Sequence, residues 1–571
     1  MPEDSTINWV RWAGEQKLVM SVTTASKMYD VTVRSSRLLV QHLNGKGAYF
    51  LEVDGGVFDG DDLIHLAKDG SYALVSVPRD RGDYPSVYRY ELEPGGERKR
   101  IIRPKPGVWN WYVDNDGVVR MGMGWAYKKL RVYYRADDDG DFELINRLKP
   151  DEDGKTRFWS VVQILSGSGK GYILAERDDG RVGIQLFDFV AGEKVEDFYF
   201  NPDWDVDRVW LNEDGSPLAA FYTDDRRQIV WFDEELGKRY RQLKQALGQD
   251  VVQIITRSDN NERMLIWAGS ESDPGAFYVF TPSERKLDIF ANARPALDFR
   301  SLAKPKPFKY TARDGLEIPG YLTLPPGRTA QNLPLIILPH GGPYGVRDEL
   351  AYNDEVQLLA NRGYAVLQPN YRGSGGYGDA FFEAGTGEIG RGMQDDLDDA
   401  MDWAVEQGIA DPERVCVVGA SYGGYAALWA VLRNPERYRC AASWAGVTDW
   451  DNIIRYDSRY LSRSGGRRWQ ERIAGDRDFD LKSVSPVFRA RDLSRPVLLA
   501  HGSADKNVPV WQYEDFERAS RKAPVPPTTL LIEDEGHGFS NPENLKRWFD
   551  ALEAFLQEHN PPDASEKVAV S

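Results

Sequence analysis

The stretch Gly419-Ala420-Ser421-Tyr422-Gly423-Gly424-Tyr425 constrains this chain most. Before it, Arg414-Val415-Cys416-Val417-Val418 is a short apolar run with β-branched residues, which predicts a buried strand. After it, Ala426 to Arg433 reads as a helix that Asn434-Pro435 terminates. Strand, G-x-S-x-G turn and helix, in that order, are the context of a nucleophile elbow. The turn is sharp, so the neighbours of the serine must be small, and Gly419, Ala420 and Gly423 are. Such a turn lifts the hydroxyl above the sheet, where the helix N-terminus favours developing negative charge.

A serine hydroxyl needs a base, and the base needs a group to orient it. Val497-Leu498-Leu499-Ala500 predicts a strand that runs into His501-Gly502-Ser503-Ala504-Asp505. Thr529-Leu530-Leu531-Ile532 predicts the last strand, which runs into Glu533-Asp534-Glu535-Gly536-His537-Gly538-Phe539. Ser421, Asp505 and His537 thus follow the chain order of an α/β-hydrolase triad, each in a loop after a strand. Asp505 is expected to hold the imidazole tautomer. Gly536 and Gly538 let the histidine loop turn, and His501 reads as a hydrogen-bonding residue behind the triad. The oxyanion needs N–H donors. One is expected from the backbone of Tyr422. The other comes from His340-Gly341-Gly342-Pro343, the loop after the strand Leu335-Ile336-Ile337-Leu338.

With 571 residues the chain exceeds one ordinary core. Residues 1–298 read as all-β, with short strands between Asp-Gly, Gly-Gly and Asn-rich turns. A strand-turn-strand pattern recurs roughly every 40–50 residues, the period of a β-propeller. Six repeats are visible, and an array of two-sheet sandwiches is the alternative. Ala303-Lys304-Pro305-Lys306-Pro307 reads as a linker. Residues 299–560 alternate strands with amphipathic helices, the pattern of a mostly parallel α/β-hydrolase sheet. Residues 561–571 read as a disordered polar tail. In the first part, Asp137-Asp138-Asp139-Gly140-Asp141 is expected to be a solvated turn rather than a calcium loop. Glu234-Glu235 is expected to be a surface loop pair rather than an anchor for a substrate amine. Trp109 and Trp111 are expected in blade cores.

A formal net charge of −17 disfavours nucleic acid or anionic membrane as a main partner. The longest apolar runs are strand-sized, so no transmembrane helix is expected. The N-terminus shows no basic region followed by an apolar stretch, so a cytoplasmic protein is expected, or a periplasmic one if a leader is missing. A homo-oligomer stays open. Cys416 and Cys440, in or beside neighbouring strands, are expected to be buried free thiols rather than a disulfide. The six histidines show neither HExxH nor Cys/His clustering, so neither metal nor cofactor is expected.

HGGP at 340–343, NYRGSGGYG at 370–378, GASYGGYAAL at 419–428, HGSADKNVP at 501–509 and EGHGF at 535–539 resemble the prolyl oligopeptidase family of serine peptidases. The likeness is to the acylaminoacyl-peptidase and dipeptidyl-peptidase-like branch. It implies cleavage of short peptides, with the propeller restricting access. It implies Ser421, Asp505 and His537 as triad and Gly342 and Tyr422 as oxyanion donors. Asn507 would hold a substrate carbonyl, and Tyr422, Val447, Trp450 and Val508 would line an apolar S1 pocket. The family has seven or eight blades against the six repeats here, so an N-terminal blade and any export signal before it are read as missing. The paired-glutamate helix of dipeptidyl peptidases is not identified, which leaves amine recognition open. The rival readings are an esterase or amidase on small acyl compounds, a lasso-peptide-type isopeptidase, and a binding protein whose propeller captures a partner.

Overall fold

Among the described residues, six consecutive sheets, antiparallel except for one short parallel pairing in the first, make up the first part of the chain in the computed structural model, spanning 5–60, 63–102, 110–148, 159–199, 206–231 and 251–292. They are the blades of a β-propeller, one per repeat. The structure describes residues 5–28, 31–45, 47–53, 59–78, 83–126, 129–148, 159–258, 262–459, 463–476 and 478–563. The tail beyond Asp563 therefore lies outside the described residues.

Strand alternation explains the blade packing. In the strand Tyr72–Val77, Ala73, Val75 and Val77 join Val19, Leu38 and Val40 of the preceding blade. Leu74, on the opposite face, joins Val108, Trp111 and Val119 of the following one. Trp111 is buried there and its indole N–H donates to the Pro85 carbonyl at 2.9 Å. Trp109 departs from expectation. It is 41% exposed and tilts over Tyr84 with ring centroids 4.7 Å apart, just ahead of the strand Asn110–Val113 in which Trp111 turns inward. The aspartate run at 137–141 is a turn, and Asp138 pairs with Arg120 at 2.6 Å.

The Glu234-Glu235 pair is not a loop. It opens helix α1 (Glu234–Leu247), with the Asp233 side chain accepting the Leu236 N–H at the N-cap. An aspartate cap followed by two acids in the first turn is a favourable helix start, and both glutamates point outward as exposed residues.

The chain divides into two compact units, 1–202 with 206–220, and 203–205 with 221–571. The second unit takes in the sixth blade and the hydrolase sheet. Within it, Arg226 grips the fully buried Glu271 carboxylate at 3.0 and 3.3 Å. Gln357 donates to the Glu271 carbonyl at 3.2 Å and bonds both backbone groups of Ala303. The expected linker is thus pinned, and its second half is already sheet: Lys306–Thr311 is the edge strand. Pro307 is tolerated there because an edge strand has a free side.

The hydrolase sheet has eight strands, labelled in chain order β1 (Lys306–Thr311), β2 (Glu317–Thr323), β3 (Leu333–Ile337), β4 (Ala365–Pro369), β5 (Ala410–Ala420), β6 (Cys440–Trp444), β7 (Val497–Gly502) and β8 (Thr528–Ile532). Their order is β1-β2-β4-β3-β5-β6-β7-β8, parallel from β4 onward. Both faces are covered, which is why these strands read as continuous apolar runs. Leu335, Ile337, Val415, Val417, Val497 and Leu499 pack into one core. Ile336, Cys416, Val418, Leu498 and Ala500 pack into the other. The covering helices include α2 (Asp354–Asn361), α3 (Gly392–Glu406), α4 (Tyr422–Arg433) and α5 (Pro542–His559).

The cysteine expectation is corrected. The β5–β6 register sets Cys416 opposite Cys440, with Cα atoms 4.7 Å apart, and the two form a disulfide. Protein denatured without reductant should therefore show no titratable thiol, and reduced protein should show both. Free thiols in the unreduced sample would overturn the pairing.

Candidate active site

Ser421 stands at the end of β5 with φ 58° and ψ −120°, as the N-cap of α4. A left-handed φ is costly for a residue with a Cβ, so the surroundings must hold it. The Ser421 N–H donates to the Trp444 carbonyl at 2.9 Å, and the Ser421 carbonyl accepts the Tyr425 N–H at 3.0 Å. The glycines are needed sterically. A Cβ on Gly419 would lie 2.5 Å from the Gly423 carbonyl carbon, and one on Gly423 would lie 2.1 Å from the Pro339 oxygen.

Asp505 follows β7, and its side chain is fully buried. One carboxylate oxygen accepts the backbone N–H groups of Asn507 at 2.8 Å and Val508 at 3.0 Å. The other lies 2.7 Å from His537 Nδ1. Since an ionised carboxylate only accepts, Nδ1 carries the proton and Nε2 is left with a lone pair. His537 keeps a 26% exposed side chain. His501 is buried beneath, 2.8 Å from the Val508 carbonyl and 3.5 Å from Asp505, and burial pushes its imidazole below its ordinary range.

The loop bearing His537 is tied at several points. Trp444 Nε1 donates to the His537 carbonyl at 2.9 Å, and the Trp444 ring packs tilted against Phe539 with centroids 4.2 Å apart. The Ala504 N–H donates to the Glu535 carbonyl at 2.8 Å. The Glu535 side chain, fully buried, accepts from Gly536, Ser540 and Asn544. Burial raises its pKa, but these hydrogen bonds outweigh burial and leave it below the ordinary range. Sequence reasoning identifies the EGHGF motif but gives neither Glu535 nor Trp444 a role.

On the other side of the serine, Gly341 approaches it closely: a Cβ there would lie 3.4 Å from Ser421 Cβ. Gly342 follows with φ 120°, a value that excludes other residues without strain. The loop is fixed through His340. Its ring stacks on Tyr371 at 4.4 Å, its Nε2 lies 2.9 Å from Ser374 Oγ, and its carbonyl accepts the Tyr371 hydroxyl at 2.8 Å. Tyr371 and Ser374 belong to the NYRGS segment, which Asp396 of α3 holds by bonding the Arg372 backbone at 2.9 Å and its guanidinium.

Tyr422, Val447, Trp450 and Val508 share one core cluster, all buried. The Tyr422 ring lies 6.3 Å from Trp450, and its hydroxyl meets Met393 Sδ at 3.3 Å. Asn507 is exposed, with its backbone tied to Asp505. The structure brings Asp505 and His537 into contact and places Gly341 against Ser421.

A family model described as the prolyl oligopeptidase family matches residues 350–561. The chain is 30% identical over 523 residues to dipeptidyl aminopeptidase BIII of Pseudoxanthomonas mexicana, covering 85% of this chain and 71% of that protein. It is 33% identical over 482 residues to dipeptidyl peptidase family member 6 of Caenorhabditis elegans, covering 78% of this chain and 65% of that one. A solved puromycin-hydrolyzing peptidase of Mycobacterium tuberculosis has the same fold, with TM-score 0.73 at 18% identity over 98% of this chain and 88% of the other.

His340 makes the loop beside Ser421 sensitive to acid. Burial lowers its pKa from 6.5 to about 4, despite its bond to the Gly341 carbonyl. Between those values the unfolded chain binds the proton and the folded one does not, so stability falls as pH drops through that window. The loss reaches roughly 3 kcal/mol, at about 1.4 kcal/mol per pH unit. Urea unfolding followed by fluorescence between pH 4 and 7 should show a flatter profile for His340→Gln than for wild type. Parallel profiles would remove His340 from the account.

Proposed function

Because the chain belongs to the prolyl oligopeptidase family of serine peptidases, we propose that it hydrolyses peptide bonds of short peptides through an acyl-enzyme, with Ser421, Asp505 and His537 as its triad. The observation that carries this reading is the 2.7 Å contact between Asp505 and His537 Nδ1, which leaves Nε2 as the base. In the proposed cycle, His537 takes the Ser421 proton as Oγ attacks the scissile carbonyl. The backbone N–H groups of Tyr422 and Gly342 stabilise the oxyanion. The imidazolium, stabilised by Asp505, then protonates the leaving amine. Water, activated by the same histidine, releases the acyl group.

Substrate recognition follows from the surrounding residues. Val447, Trp450 and Val508 supply, with Tyr422, an apolar S1 floor that favours an uncharged P1 side chain. Asn507, exposed beside the acid, holds a substrate carbonyl. The relatives' names point to release of dipeptides, which requires a site for a free N-terminal ammonium. Glu234 and Glu235, exposed together on the first turn of α1, are our assignment for it. The disulfide favours an oxidising compartment, hence the periplasmic over the cytoplasmic location.

Ser421→Ala should abolish hydrolysis and fluorophosphonate labelling without altering the fold. Asp505→Asn should lower kcat on the order of 10⁴-fold. Near-normal turnover by either purified variant would sink the triad. The amine site has its own test. Glu234→Gln with Glu235→Gln should raise KM about 10- to 100-fold for a free-amine dipeptide substrate, the value of hydrogen bonds to charge, and leave an N-acetylated analogue unaffected. Equal changes on both substrates would refute the assignment.

A further inference from the structure

His537 sits between Gly536 and Gly538, and a Cβ placed on either glycine would meet nothing within 4 Å. No side chain packs at either position to restrain the loop there, and glycine is the residue with most conformational freedom. A general base must nevertheless be held to within a fraction of an ångström of its productive position. Hydrogen bonds have to supply the hold that side chains at these two glycines do not.

The Glu535 carboxylate is placed to do so. One oxygen accepts from the Gly536 N–H at 3.2 Å, the Ser540 N–H at 2.9 Å and the Ser540 hydroxyl at 2.7 Å. The other accepts from the Asn541 N–H at 3.4 Å and from Asn544 Nδ2 at 2.9 Å. These donors bracket His537 in the chain, so the carboxylate closes the loop into a ring with the histidine on it. Glu535 is fully buried, and no cation lies within ion-pair distance of it among the described residues. Its charge is compensated by these donors and by the N-terminus of α5, which Asn541 caps. From outside the loop, the Ala504 N–H holds the Glu535 carbonyl at 2.8 Å, and Gly502 lets the loop lie close: a Cβ there would stand 2.4 Å from the carbonyl oxygens of both Glu535 and Gly536. Residues from the acid loop thus grip the backbone just before the histidine, while the carboxylate grips the backbone on both sides of it.

We infer that Glu535 is the positioning residue of the general base, holding His537 in line between Asp505 and Ser421 through the ring of hydrogen bonds that its buried carboxylate accepts. It touches no substrate and acts only through His537. The inference rests on the triad proposed above. It explains why a negatively charged side chain, costly to bury, stands beside two glycines that have no packing neighbours at the Cβ position.

The test is a double-mutant cycle on the full chain with a peptide amide substrate. Glu535→Gln keeps the shape but replaces one acceptor oxygen with a donor, and should lower kcat about tenfold or more while KM changes little. Glu535→Ala should lower kcat toward 100-fold, the scale of a 1 Å displacement. In a His537→Ala background neither substitution should reduce the residual rate further. Equal losses in both backgrounds, a loss confined to KM, or wild-type kcat in Glu535→Gln would each overturn the inference. Asn544→Ala and Ser540→Ala each remove one donor without stranding a buried charge. They serve if the Glu535 variants fail to fold, and should lower kcat severalfold with KM unchanged. Wild-type kcat in both would also overturn it. A fully active His537→Ala protein would instead refute the triad, so the two failures are distinguishable.

Discussion

Ser421 occupies a backbone conformation that costs a residue with a Cβ on the order of 1–3 kcal/mol, and the hydrolase half of the chain is arranged to hold it there. The strain is opposed first by the sheet. β5 lies between β3 and β6, and its run from Val415 to Gly419, which leads to the serine, is buried. It is opposed next by the hydrogen bond from the Ser421 N–H to Trp444, the last residue of β6. The indole of that same residue reaches the carbonyl of His537. One residue therefore ties the nucleophile's backbone to the base's backbone, across strands that the sequence separates widely. The strain at the serine and the placement of the histidine rest on a shared support.

What is legible in the sequence follows from how local each signal is. The elbow, the two later strand-loop units and the Gly-rich loop at 340–343 are each written within about ten residues, so their residue types announce both conformation and role. The blades are legible for a different reason: the same strand-turn unit recurs, and repetition amplifies a weak local pattern. The disulfide is not legible, because it depends on the register of β5 against β6 and not on either strand alone. The linker is legible only in part, because Lys306-Pro307 looks the same on an edge strand as in an open chain. Glu234-Glu235 misleads because the decisive residue is the Asp233 cap before it, where an aspartate also suits a turn. Trp109 and Trp111 have one composition and two fates, because only Trp111 lies within the strand Asn110–Val113 and turns inward.

The roles of Glu535 and Trp444 lie outside reach for a further reason. Both act largely on backbone groups, Trp444 in another loop and Glu535 in its own, so the residue types at the receiving end record little of the contact. A buried Trp reads as core, and a Glu beside Asp534 reads as solvated surface. Only the three-dimensional donors distinguish that glutamate from Glu533 two positions earlier, which the structure leaves exposed.

A common device links these places. The loops that do the work in this fold are rich in glycine, since close approach to the serine and sharp turns demand it. Glycine itself offers no side chain to pack. Buried carboxylates help to hold such loops, because each is an acceptor with room for several N–H donors. Asp396 fixes the NYRGS segment, Asp505 fixes Asn507 and Val508, Glu535 fixes the histidine loop, and the Glu271 carboxylate of the sixth blade holds Arg226 and the linker's Lys304. Burying these anions is unfavourable in isolation, and breaking such a site after burial costs several kcal/mol. That asymmetry makes each loop's conformation all-or-none. Part of the chain's acidic excess therefore lies in the interior, where it specifies loop geometry rather than solubility.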